Sequence, residues 1–454
     1  MSKITIKDHG KFYSRLLLLV GLIVLISLGI TGIIKLFRDD EVPPEGETLL
    51  PEVETTETEN PETASTDEIP VEEPIPLKLY QGPFIDLGLL PEGTMKVLPK
   101  GYNYPRSGVR GLFISGSAIE NAEVMTEIMQ IIDETDINSL VIDFKDDNGF
   151  IRMANESDNP LIREMTNPTY DQAIIDELRA RGVYLIARMV AFRDPALGWN
   201  HPEYAFNYSW GGQLASNDGH VFVNPLMEEV WEYNTAAAEL AIDLGFDEIQ
   251  FDYVRFAEGF ELVEHDLVYD RGRFSEISDM YERNRQAISG FLEYARQRIH
   301  AKDALVSADI FGYVTFNPTN AIGQDPYEIV ERVDALSAMI YPSHWGAGYF
   351  DLPTPDTEPY TVVEEYIKKE HEVMASASDP PISRPWIQAF TAYYLGEGNY
   401  IEYGPKELAD QIRALADSGV NEYLMWHAGG DYKPFYPELF PPQPEDETEA
   451  DSDG

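Results

Sequence analysis

Asp252 lies near the C-terminal end of an apolar and aromatic stretch, Glu248 to Phe256, which reads Glu-Ile-Gln-Phe-Asp-Tyr-Val-Arg-Phe. Residues of these types favour a buried strand. A buried strand excludes an ionised carboxylate unless a partner pairs with it or a reaction uses it. A second aspartate, Asp309, sits in the next strand-like run, within Ser-Ala-Asp-Ile-Phe-Gly. Two carboxyl groups on neighbouring strands suit a reaction in which one protonates a leaving oxygen while the other attacks or stabilises the cationic centre, as glycoside hydrolysis requires. Asp252 is assigned the ionised role, as nucleophile or cation-stabilising carboxylate, with Arg188 and Arg255 to keep it charged. Asp309 is assigned the general acid/base role. Glu258, just beyond the same stretch as Asp252, is the reserve acid.

Other strand ends bring further groups. The second strand carries Asp143 and, on the same parity, Lys145. The third carries Arg188, and the fourth also has Gln250. The sixth runs out through Tyr341, His344 and Trp345, the seventh brings Gln388, and the eighth ends at Trp426. Alternate residues of a barrel strand point inward, so these groups are expected to converge at one mouth and bind substrate. The lower halves of the strands read as apolar. The long stretch Arg193 to Leu226 holds Trp199, His201, Tyr204, Tyr208 and Trp210, and reads as a substrate-binding wall or a structural lid. Trp199 and Trp210 are its candidate sugar contacts. His220 and His265 are isolated and read as solvated or structural. No Gly-x-Ser-x-Gly, P-loop, His-x-His or His-Glu-x-x-His pattern is present, so serine acyl transfer, nucleotide binding and a zinc site have no signal. No cofactor or metal is called for. Two other readings stay open. One is a barrel that binds glycan without turning it over. The other is a metal-assisted enzyme in which Asp143, Asp252 and Asp309 hold Mg²⁺ through oxygen ligands.

The elements that must position these residues alternate regularly. Strands are expected at Val109–Ser115, Ser139–Phe144, Val183–Phe192, Glu248–Phe256, Leu305–Phe311, Ala335–Tyr341, Pro385–Tyr393 and Tyr423–Trp426. Helices are expected at Glu123–Asp133, Asp171–Arg181, Met227–Leu244, Asp279–His300, Pro326–Val333, Thr361–Ala375 and Pro405–Asp417. Eight strands alternating with seven helices predict an α/β chain folded as a (β/α)8 TIM barrel over residues 108–440. A doubly wound open sheet would need a Gly-rich phosphate turn after a strand, and none is found.

The flanks differ in composition. Residues 1–15 carry Lys3, Lys7, Lys11 and Arg15, and residues 16–34 form an apolar run that matches the ~20 residues of a membrane-crossing helix. The lysine and arginine bias places the N-terminus in the cytoplasm and the barrel outside the cell membrane. A cleaved signal peptide is the competing reading; this run is longer than the ~7–15 residue core of one, and no small-x-small site follows. Residues 35–76 are rich in Glu, Thr and Pro and read as a disordered acidic linker. Residues 77–107 form an approach segment packed on the bottom or side of the barrel, and 441–454 an acidic disordered tail. The formal net charge is -47, which argues against a nucleic-acid partner, since binding one needs clustered Lys and Arg. There is no cysteine, so disulfides and thiolate chemistry are excluded. The implied partners are a polysaccharide or oligosaccharide and, through the N-terminal helix, the membrane.

Four stretches carry a family resemblance. Gly108–Phe113, Val141–Asp146, Ile249–Phe256 and Met339–Trp345 resemble the bacterial family of putative glycoside hydrolase domains, long known only as a domain of unknown function. The resemblance covers roughly residues 102–437. It implies a (β/α)8 barrel distantly similar to the α-amylase and α-galactosidase clans, whose nucleophile is an aspartate closing the fourth strand. That position corresponds to Asp252. Amylase-like enzymes carry the acid as a glutamate after the fifth strand, where this chain has Asp309. Galactosidase-like enzymes carry it on the sixth, where this chain has Tyr341 and His344.

Overall fold

The computed structural model describes residues 103–216 and 219–435. The basic N-terminus, the apolar run 16–34, the linker 35–76, most of the approach segment and the tail 441–454 lie outside the described residues. Among the described residues no helix is long and apolar enough to cross a membrane.

Eight strands form the centre: β1 (Arg110–Ile114), β2 (Ser139–Lys145), β3 (Tyr184–Val190), β4 (Glu248–Asp252), β5 (Leu305–Phe311), β6 (Ala335–Met339), β7 (Trp386–Gln388) and β8 (Tyr423–Trp426). Each pairs in parallel with its sequence neighbours, and β1 pairs with both β2 and β8. The sheet therefore closes on itself as a parallel barrel, the fold the alternation predicts. Seven of the helices among the described residues match those expected: α1 (Ala122–Glu134), α2 (Gln172–Ala180), α3 (Glu228–Asp243), α4 (Met280–His300), α5 (Pro326–Ile329), α6 (Pro359–Met374) and α7 (Pro405–Asp417).

Local chemistry sets the helix ends. Asn121, Asp171 and Asp279 cap α1, α2 and α4 by accepting from first-turn amides. Gly182 and Gly245 take positive φ just beyond α2 and α3, a conformation that costs glycine little and releases the chain into the next strand. The main hydrophobic core lies between the strands and the helix ring, and a smaller one fills the barrel interior around Val141, Ile186, Leu305 and Leu424.

Three expectations change. β4 stops at Asp252 rather than Phe256, because Tyr253 turns to a positive φ of 47° and breaks the extended backbone. β7 is three residues long instead of nine. The lower end of the barrel is not apolar. There Arg384 reaches Glu248 at 2.7 Å and Glu422 at 3.0 Å, Tyr184 donates to Glu248, and Tyr104 joins Arg384 and Glu422. Opposite charges and hydroxyls pair with one another, which is the condition for burying them, and one oxygen of Glu422 is left without a hydrogen bond. Tyr104 belongs to the approach segment, so its described end packs at the bottom of the barrel.

The stretch after β3 is ordered by its own small structure. Asn207–Tyr208 pairs antiparallel with Leu267–Val268 from the segment after β4, and Phe206, Val221 and Val223 are buried beneath it.

Candidate active site

β4 points Glu248, Gln250 and Asp252 inward, so the barrel axis is read off one strand from floor to mouth. Glu248 belongs to the ionic floor. Gln250 donates to Ser337 in the middle at 3.1 Å. Asp252 stands at the top, where Arg188 grips it: Nε at 2.9 Å and Nη2 at 2.6 Å both reach Oδ2. The backbone N–H of Tyr253 donates to Oδ1. The same guanidinium donates to Asp143 at 2.7 Å and to Asp147 at 3.2 Å. One buried cation thus serves three carboxylates. It stands beside an aromatic pair, 5.5 Å from the Phe113 centroid and 5.4 Å from that of Trp426. Those two rings stack at 4.1 Å.

Asp309 occupies the neighbouring strand at the same height, since Phe251 pairs with Ala308 and the next residues lie side by side. Its surroundings are different. Trp386 donates its indole N–H to Oδ1 at 2.7 Å, and among the described residues no arginine bonds it. Burial, and then the negative charge of Asp252, push its carboxyl well above the usual carboxylate range, against the opposing pull of Trp386 and Arg188. Asp143 is pushed up to about 7 by burial, with Asp147 adding and Arg188 opposing. Three acids on one guanidinium leave excess negative charge, which disfavours the ionised form most at the deeply buried Asp143.

Tyr341, just beyond the end of β6, is buried, and burial together with Asp309 and Asp252 raises its pKa. Its ring meets His344 edge-on at 5.0 Å. His344 is exposed at the rim. Trp345 packs against Phe316, Tyr349, Phe350 and Tyr366 and is mostly a support for the loop after β6. Gln388 also positions that loop: it accepts from the Ser343 N–H and donates to Asp356.

Two residues fall elsewhere than the sequence parity indicated. Lys145 does not share the mouth. A bulge between Asp143 and Lys145 sets Asp143 opposite Arg188 but Lys145 opposite Met189. The extra residue reverses the parity, and Lys145 turns outward to pair with Asp194 at 2.6 Å and Asn234 at 2.8 Å. Arg255 does not hold Asp252. It lies among the rings of Phe222, Tyr253 and Phe311 and stands 3.7 Å from Glu258. Trp199 and Trp210 are exposed in the loop after β3, Trp210 stacked on Tyr208 at 5.0 Å, and neither touches the carboxylates.

Sequence reasoning passed over several members of the site. Phe113 and Trp386 share inward parity with residues on their own strands and could have been found that way. Asp147 follows the exit of β2. Gln324 carried no local signal: it bonds the Asp309 carbonyl, the Phe311 N–H and the Val254 carbonyl, and so ties the exits of β4 and β5 together. His220 is not isolated; Arg193 bonds it at 2.8 Å and stacks over Tyr253 at 4.7 Å. His265 is exposed, as expected.

The Mg²⁺ reading meets a positive charge of the protein's own. Arg188 stands between Asp143 and Asp252, and Asp309 is engaged by Trp386. Among the described residues no group of three His, Cys, Asp or Glu is arranged to hold a metal.

Residues 111–432 match the family model described as "Putative glycosyl hydrolase domain". No curated protein matches the chain. Among solved structures, the glycoside hydrolase domain of PgaB (BpsB) from Bordetella bronchiseptica is similar at 14% identity, covering 73% of this chain and 99% of that one, with a TM-score of 0.50. This likeness shows the barrel fold. A hypothetical protein from Ruminiclostridium thermocellum is 28% identical, covering 44% of this chain and 96% of that one, with a TM-score of 0.38.

Proposed function

We propose, from the premise that this chain belongs to the family of "putative glycosyl hydrolase" domains, that it cleaves O-glycosidic bonds of a polysaccharide with Asp252 and Asp309. The observation that supports these roles is the contrast between two carboxyls at one height. Asp252 accepts two bonds from a guanidinium and one from a backbone amide, all of which favour the ionised form. Asp309 has a single neutral donor and a carboxylate beside it. Environments that push two acids apart are the mark of an acid and base pair.

In this reading the protonated Asp309 gives its proton to the leaving glycosidic oxygen as that bond breaks. The Asp252 carboxylate stabilises or attacks the anomeric carbon, and water completes the hydrolysis. Arg188 holds the Asp252 carboxylate in place, and the half-buried Trp426, backed by Phe113 and Trp386, offers an apolar surface to the sugar.

The reading also puts the barrel outside the cell membrane on an uncleaved anchor at residues 16–34. Its support is the lysine-flanked apolar run and the acidic stretch after it, which repels an anionic membrane face. A mature N-terminus beyond Arg38 would replace the anchor with a cleaved leader.

The test is release of reducing ends by the full chain from a panel of envelope, microbial and plant polysaccharides. Asp252→Asn and Asp309→Asn are each expected to lose at least a hundredfold in kcat, the scale of general acid–base catalysis. Turnover retained by either variant refutes its assigned role.

A further inference from the structure

A pocket of about 190 Å³ opens beside the carboxylates, over the exits of β5 and β6. Phe311, Tyr313, Met339, His344, Trp345 and Glu258 line it. Tyr341 connects it to the centre, since this ring meets His344 and feels the charge of Asp309. Gly312 is also in the wall. A Cβ there would come within 2.9 Å of both the Met339 carbonyl and the Trp345 ring, so the wall has no room for a side chain.

The lining has a particular chemistry. Phe311 and Tyr313 stack on one another at 5.5 Å, which leaves the outer face of the exposed Tyr313 ring open, and the largely buried Trp345 closes the wall. Such faces attract cations. Phe311 already does so, with the Arg255 guanidinium 4.8 Å from its centroid. Glu258 is the one acid among the lining residues. Its side chain is 66% exposed, and Arg255, its ion-pair partner, stands 3.7 Å away, beyond hydrogen-bond reach. The carboxylate therefore keeps its acceptor sites for a ligand. Aromatic faces around one open carboxylate recognise an ammonium group. The net charge of -47 attracts cationic polymers to the chain and repels anionic ones.

The geometry points to this pocket as a subsite for a sugar carrying a free ammonium, a de-N-acetylated hexosamine unit. This inference rests on the hydrolase reading for its setting, and it names the substrate class of that same mouth. Glu258 pairs with the ammonium, and Tyr313 and Trp345 cover the apolar face of the ring. An N-acetylated unit offers no charge to either.

The experiment measures equilibrium binding of glucosamine and galactosamine, with their oligosaccharides, against the N-acetylated counterparts. The protein is the full chain carrying Asp252→Asn, which blocks turnover. The free-amine forms are expected to bind at least tenfold tighter. Adding Glu258→Gln is expected to collapse that ratio toward one, and Tyr313→Leu, which removes one ring, to lower it. Equal binding of the two forms, no binding of either amino sugar, or a ratio that survives Glu258→Gln overturns the inference. The two readings fail separately. Reducing-end release by the parent without amine preference leaves the hydrolase and removes the amino-sugar subsite. Amine-selective binding without release from any polymer leaves the subsite and removes the hydrolase.

Discussion

Replacing Trp386 with Phe deletes one N–H and keeps an aromatic ring. The lost group is the donor to Asp309 at 2.7 Å. A hydrogen bond to a charged acceptor contributes about 1.5–3 kcal/mol, and each pH unit of pKa corresponds to 1.36 kcal/mol. The indole stabilises the ionised carboxylate, so its loss raises the Asp309 pKa by about one to two units. A general acid with a higher pKa stays protonated to higher pH. The basic limb of the kcat/KM profile therefore moves up by about one to two units in Trp386→Phe. Asp252 and Asp309 influence one another, so the limb belongs to the pair. The assay is initial-rate hydrolysis across pH 4–10 on a substrate found by the reducing-end screen. A urea titration checks that the variant is folded, because Trp386 is fully buried and packs edge-on to Phe113 and Trp426. A basic limb that stays put or moves down in a folded variant refutes Asp309 as the acid.

Two further outcomes concern buried charge. Arg188→Met strands Asp143, Asp147 and Asp252 around an apolar side chain, and breaking a buried pair costs about 3–5 kcal/mol. The loss, read from urea midpoints at pH 8, is expected to shrink at pH 5 as the carboxyls protonate, and an unchanged loss refutes the shared-cation account. Glu370 is buried and raised from 4.5 to about 7 by its burial. The folded state therefore holds this proton more tightly than the unfolded one, so the contribution is complete below about 4.5 and is lost as pH rises to about 7. Glu370→Gln removes that penalty: against the parent it gains up to about 3 kcal/mol at pH 8, from 2.5 units at 1.36 kcal/mol each, and little at pH 4.5. Equal effects at the two pH values in thermal unfolding would contradict this.

The barrel was legible because apolar runs and helix stop signals repeat along the chain, and Asp171, Asp279, Gly182 and Pro405 mark helix ends by local chemistry alone. The convergence of Asp143, Arg188, Asp252 and Asp309 followed from period-two parity, which holds while strands are regular. It failed at Lys145, where one extra residue reverses the facing. Arg255 was misplaced for a related reason, since the turn at Tyr253 ends the strand before it. The ionic floor was missed because Glu248, Arg384 and Glu422 are far apart in sequence and meet only when the ring closes. Gln324 lies on a loop, where no periodicity points at the backbone groups it binds.

The floor has a consequence for traffic. Tyr104, Tyr184 and the Glu248–Arg384–Glu422 cluster fill the lower end with bonded groups, which makes the barrel a blind well. Nothing threads through it. In the proposed hydrolase reading a polymer has to lie across the rim with one unit dipping toward the carboxylates. In that reading the cut ends leave by the opening they came in by, past the rings of Tyr313 and Tyr253. How fast those rings let go becomes a property of the rim, and it can vary between such barrels without any change at the carboxylates.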